Sequence, residues 1–175
     1  MSVRIKGLVE KLNATTRAAP EAAASLCLSR THYEIEIEHF LLKLLENQDS
    51  DIKRIARHFE IQEGKLLFEL NKAVDNLKNG NSRNPSFSPL LGDALSKAWL
   101  YGSIGYNAAE IRSGFVILAL LAEEPLSRRV PEFSREIQKI NLEALRKNFH
   151  AIVEGSTEAS PISPAVAPGG PVSKK

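Results

Sequence analysis

Two stretches of the chain superpose without a gap: EIEIEHFLLKLLE, residues 34–46, over EIRSGFVILALLA, residues 110–122. Glu34 falls on Glu110, Ile35 on Ile111, Leu42 on Leu118 and Leu44–Leu45 on Leu120–Leu121, at a constant offset of 76 residues. A small-residue helical pattern precedes each copy (AAASLCLS, ALSKAWLYGS), and further helical patterns follow each. Self-similarity at a fixed offset constrains a fold more than any single motif, because each copy must form the same supersecondary unit. The expected architecture is all-α: two tandem pseudo-twofold repeats of about four helices, each burying its central leucine-rich helix against the other.

Helical spacing fills most of the remainder. Ile5, Leu8, Val9 and Leu12 fall at i, i+3, i+4 and i+7, the stripe of a short amphipathic helix. Asn13 and Thr15–Thr16 offer a break and a new N-cap, and Pro20 suits the first turn of a helix through PEAAASLCLSR. Ile52, Ile55, Ala56 and Phe59 make the next stripe, capped by Ser50 or Asp51. Leu66, Leu67, Leu70, Val74 and Leu77 make another, which ends at NLKNGNSRNPS, where Asn79–Gly80 can take positive φ. Leu91, Leu95 and Ala98 restart the pattern, and FVILALLAE, apolar all round, reads as a buried helix closed by Pro125. Pro131 is expected to open a short helix at PEFSREI, and Asn141 to cap a last one carrying Leu142, Leu145, Phe149 and Ile152.

These patterns divide the chain into an extra N-terminal helix (1–13), a double-repeat domain (14–154; copies at about 14–79 and 87–154) and a linker (155–175). The linker, GSTEASPISPAVAPGGPVSKK, is too rich in Pro, Gly and Ser to bury a core, so the chain reads as the N-terminal piece of a longer protein.

Composition excludes several classes. A net charge of +2, with no clustered cations, argues against nucleic acid as a partner and against a DNA-binding helix-turn-helix. No apolar run approaches the roughly 18 residues of a membrane span, and the charged N-terminus is no secretory signal, so a cytoplasmic location is expected. The single cysteine, Cys27, fits a reducing compartment and sits in an apolar helical pattern, where a buried inert thiol is expected.

Glu34, Glu36, Glu38 and His39 crowd four titratable groups into six positions, which raises a metal site or a small hydrolase built on Glu38 and His39. The second copy replaces Glu36, Glu38 and His39 by Arg112, Gly114 and Phe115. A slot that accepts phenylalanine is used for packing, and carboxylates at a helix start are favoured by about 0.3–1 kcal/mol each. The expected roles are structural. His32, His58 and His150 lie in other elements without H-E-x-x-H spacing, and there is no phosphate loop or nucleophile elbow. No catalytic residue, metal or cofactor is expected in this segment.

The positive expectation is peptide binding in an apolar trough between helices. The stripe Ile5, Leu8, Val9 and Leu12 is the candidate for one wall, and Phe87, Leu90 and Leu91, apolar residues emerging from the polar loop NPSFSPLL, for the other. Lys11 and Glu10 are candidate rim charges. The alternative is that both segments merely cap the core.

IEIEHFLLKLLE, from Ile35, resembles the Ile-x-x-Glu-His-Leu-Leu-x-x-Leu-Leu hallmark of the N-terminal domain of the Clp family of AAA+ unfoldases, with Phe40 for the first leucine. The second copy departs from it at Gly114 and Phe115. The resemblance covers roughly residues 14–153. Ahead of it, RIKGLVEKLN resembles the extra N-terminal helix of the ClpV branch, the unfoldases of type VI secretion. That branch implies a non-catalytic domain that grips an amphipathic N-terminal helix of the large sheath subunit, so that contracted sheath is recycled. It also implies a homo-hexamer whose ATP and Mg act in modules beyond the linker. The alternative within the family is a ClpA-, ClpB- or ClpC-type domain serving adaptors or unfolded protein.

Overall fold

The computed structural model describes residues 5–159. Its helices are α1 (Ile5–Glu10), α2 (Ala19–Ser29), α3 (Ile37–Leu44), α4 (Asp51–His58), α5 (Glu63–Asp75), α6 (Pro89–Leu100), α7 (Ser113–Ala122), α8 (Leu126–Phe133), α9 (Leu142–Lys147) and α10 (Phe149–Ile152). Two short strands, β1 (Glu34–Ile35) and β2 (Ser86–Phe87), complete the named elements, so the all-α repeat architecture stands. The start of α3 at Ile37 and of α7 at Ser113 reproduces the repeat offset. Residues 160–175 of the expected linker lie outside the described residues.

Local chemistry sets the helix starts. Pro20 lies in the first turn of α2, Ser50 caps α4 by accepting from the Lys53 N–H, and Asn141 caps α9 by accepting from the Ala144 N–H. Glu36 and His39 form a reciprocal capping box at α3. Gly80 has φ of +101° in the inter-repeat loop, which a side chain would resist. One expected boundary is corrected. Pro131 does not open a helix; it lies inside α8, which begins at Leu126 directly after Pro125 and buries Leu126, Val130 and Phe133.

The two copies exchange their leading segments. Ile35 pairs in parallel with Phe87, just ahead of the second repeat, while Ile111, the equivalent of Ile35, pairs in parallel with Leu12, ahead of the first. This reciprocal pairing is the backbone expression of the pseudo-twofold. The main cross-repeat partner of α3 is α6 and that of α7 is α4, so the two leucine-rich helices meet the other repeat through neighbours rather than chiefly through each other. α7 buries every residue from Ser113 to Leu120, as its unbroken apolar sequence requires.

The copies differ most where α7 starts. Arg112 replaces Glu36 and makes a two-pronged ion pair with the fully buried Asp51 (Nε–Oδ2 2.7 Å, Nη2–Oδ1 2.8 Å). In the first copy the acid sits on the helix instead: Glu38, the counterpart of Gly114, faces Arg129 at 3.5 Å. Gly114 leaves room for this change: a Cβ there would lie 2.7 Å from the Phe149 ring and 3.0 Å from Asp51 Oδ2.

The chain does not leave the fold at Gly155. Ser156 and Glu158 are buried, and the Glu158 carboxylate accepts hydrogen bonds from Asn13 Nδ2 (3.0 Å), the Asp51 N–H (2.8 Å), the Ser113 N–H (2.7 Å) and Ser113 Oγ. Residues 155–159 therefore belong to the domain, contrary to the linker expectation. A carboxylate that gathers orphan helix-start amides stabilises a segment whose composition alone cannot build a core.

Candidate peptide-docking face

α1 lies on α6 at Gly92, where an added Cβ would sit 3.0 Å from Ile5 Cδ1. The missing side chain lets the two helices approach closely. After α1 the chain is pinned to the second repeat: the Ile111 N–H donates to the Lys11 carbonyl (2.7 Å), and the Asn13 N–H donates to the Ile111 carbonyl (3.1 Å). Lys11 Nζ stands 4.8 Å from the centroid of the Trp99 ring on α6, a cation–π contact that fixes the C-terminal end of α1.

The structure brings the two predicted walls into contact through α1 and α6 and sorts the predicted residues by depth. Ile5, Phe87 and Leu90 are half-buried, and Lys11 is exposed. Leu12 and Leu91 are fully buried and Leu8 nearly so, which corrects their assignment as lining residues: the side of the stripe carrying Leu8 and Leu12 is spent on the core. They hold the walls in place from beneath. Val9, the remaining residue of the predicted stripe, is half-buried, and sequence reading missed one residue of this face, Trp99, also half-buried against the core. Trp99 adjoins Ala98 at the edge of the Leu91–Leu95–Ala98 stripe, which was the available signal. The exposed Lys6, Glu10 and Asp93 supply polar residues on α1 and α6.

Glu36 and His39 close the first turn of α3. His39 Nδ1 accepts from the Glu36 N–H (2.9 Å), so the proton of the neutral ring sits on Nε2 and points to His32 Nδ1 at 3.0 Å. Cys27 Sγ is close by and donates to the Glu34 carbonyl (3.3 Å). The potential ligand atoms of Cys27, His32 and His39 lie within 4.8 Å of one another, the one such His/Cys grouping among the described residues. They do not form a ready metal site. A ligating histidine donates its second N–H outward, whereas His39 already receives a donor there. Burial, then the adjacent His32 and Arg30, pushes His39 down to about 4, and burial followed by Glu36 and Glu34 pushes the Cys27 thiol up to about 11. The cluster is a closed hydrogen-bonded plug of neutral groups.

Two clefts are lined by other residues. One of about 310 Å³ is lined by His32, Tyr33, Glu34 and Glu36. The other, about 380 Å³ between α5 and α8, includes the exposed Phe68.

The profile of the Clp repeat (R) N-terminal domain family matches residues 11–130. The chain belongs to this family. The matched region begins after α1, so that helix precedes the shared repeat. The AAA+ ATPase ClpV1 of Pseudomonas aeruginosa is 30% identical over 151 residues, 86% of this chain and 17% of its own length. The chaperone protein ClpB of Yersinia enterocolitica is 31% identical over 176 residues, 97% of this chain and 20% of its own. The chain thus spans about a fifth of the curated relatives it matches. Among solved structures, a ClpV N-domain in complex with a VipB peptide is 33% identical with a TM-score of 0.73, covering 90% of this chain and 96% of that one. No helix among the described residues is long and apolar enough to cross a membrane.

Proposed function

We propose that this Clp N-domain is the recognition module of a ClpV-type unfoldase and docks an amphipathic N-terminal helix of the large type VI sheath subunit on its α1–α6 face. The observation that carries the reading is α1 itself. It lies outside the family-matched repeat, is seated on α6 at Gly92, and leaves Ile5 and Val9 half-exposed on α1, with Phe87 on β2 and Leu90 at the start of α6 half-exposed as well. The similarity to a ClpV N-domain bound to a VipB peptide supports the same partner chemistry.

The domain acts by shape and apolar burial, without catalysis. Burying one large anchor contributes about 1.5–3 kcal/mol, so two or three anchors less ordering costs give roughly micromolar affinity. A homo-hexamer would compensate by raising the effective concentration of tethered domains. ATP and Mg would act in ATPase modules beyond this segment, with the domain in the cytoplasm.

Calorimetric titration with a synthetic peptide of the sheath subunit's N-terminal helix tests the proposal. Saturable binding is expected, lost in the Val9→Glu/Phe87→Ala double variant, which changes two half-buried residues of the face. Binding that ignores both substitutions would sink the reading. Similarity to ClpB over 97% of the chain favours a second reading, a domain serving adaptors or unfolded protein. Deleting residues 1–7, which spares the buried Leu8, Leu12 and Asn13, separates the two: peptide binding disappears in the first case and persists in the second.

A further inference from the structure

We infer that Glu158 and Ser156 are positioning residues for the docking face: Gly155–Ala159 is a strap that holds the root of α1, so that seating of the strap and docking on α1 favour one another. The inference rests on the reading that α1 is a docking wall.

The strap is fastened at several points on three parts of the fold. Glu158 is 3% exposed, and its two carboxylate oxygens take hydrogen bonds from the lead-in to α2 (Asn13), the first residue of α4 (Asp51) and the first residue of α7 (Ser113). The Asp51 and Ser113 amides belong to first turns, where N–H groups lack a partner within their own helix. The N-cap of α7, Arg112, makes no side-chain capping bond, so Glu158 does that work from a distant part of the chain. Ser156 Oγ donates to Asp51 Oδ1 (2.6 Å) and accepts from the Glu158 N–H (2.9 Å). The Thr157 N–H donates to the Asp49 carbonyl (2.9 Å), and Thr15 Oγ1 donates to the Thr157 carbonyl (3.3 Å).

Asn13 transmits this to α1. Its Oδ1 accepts from the Thr16 N–H (3.0 Å) and Thr16 Oγ1 (2.8 Å), which fixes the amide so that Nδ2 faces Glu158. Only Lys11 and Leu12 separate Asn13 from the last residue of α1, and both are engaged with Ile111. The root of α1 is therefore pinned on one side by the second repeat and on the other by the strap. A ligand that binds the seated α1 gains from the strap, and by linkage must strengthen strap seating by the same factor.

Hydrogen exchange on the full chain tests this without any ligand. Glu158→Ala should speed amide exchange across residues 5–13 by about tenfold, while α3, which Glu158 does not touch, changes far less. Glu158→Gln, which keeps shape but loses charge, should give a smaller shift in the same direction and decides the matter if the alanine variant does not fold. Equal acceleration in α1 and α3, or none in residues 5–13, overturns the strap. With the sheath-helix peptide added, wild-type exchange at Thr157 and Glu158 should slow, and Glu158→Ala should weaken binding about fivefold or more. If the peptide fails to bind wild type, the docking reading falls while the ligand-free comparison still judges the strap. If it binds but strap exchange and affinity do not respond, the strap alone falls.

Discussion

His39 shows how one slot of a repeat can serve two chemistries. In the first copy its ring closes a capping box and a hydrogen-bonded chain to His32; in the second, Phe115 occupies the slot and stacks between Tyr106 and Phe149 at 5.6 and 5.3 Å. Comparing the copies read the slot as plain packing, which leaves out the capping and hydrogen-bonding that the ring provides in the first copy. The missing piece was His32, which no spacing rule connects to His39. The pair makes stability depend on pH. His39 is held near 4 in the fold against an ordinary value of 6.5, so between those values the unfolded chain binds the proton and the folded chain does not. Its contribution is therefore lost as pH falls through that window. Glu36 and Glu38, pushed up chiefly by burial, act in the opposite sense, so a variant is needed to isolate it. The fall in urea midpoint from pH 7 to pH 5 should be smaller for His39→Gln than for wild type, or turn into a rise; an unchanged fall would show that the histidine does not carry the effect.

At the scale of elements, α1 was legible as a stripe of four apolar residues, but its seat was not. A stripe reports that one side is buried without saying against what, and here Leu8 and Leu12 went to the core while Ile5 and Val9 stayed at the rim. The contact depends on Gly92, whose role only the approach of Ile5 reveals. Pro131 misled for a related reason: a proline suited to a first turn was tolerated inside α8. Gly92→Leu should wedge α1 off α6, at a cost of about 1–3 kcal/mol for overpacking. Trypsin should then cut at Lys6 and Lys11 several-fold faster while the repeats remain resistant. Unchanged cleavage would mean that α1 is not held there.

For the molecule as a whole, the 76-residue offset carried the fold, because two copies of one unit leave few ways to close a core. The reciprocal exchange of leading segments, Leu12 to Ile111 and Phe87 to Ile35, was hidden, since it joins residues far apart through backbone atoms. The strap was hidden by its neighbours: Ser156 and Glu158 stand in a Pro/Gly/Ser-rich run, and composition averages over the two residues that dock. The central claim is that a helical peptide is received on the α1–α6 face. Titrating the isotope-labelled chain with the sheath-helix peptide and following amide and indole NMR shifts tests it most directly. The account predicts saturable changes centred on Ile5, Val9, Phe87, Leu90 and the Trp99 indole. Changes centred instead on Phe68 and the α5–α8 cleft, or no saturable change at all, would contradict it.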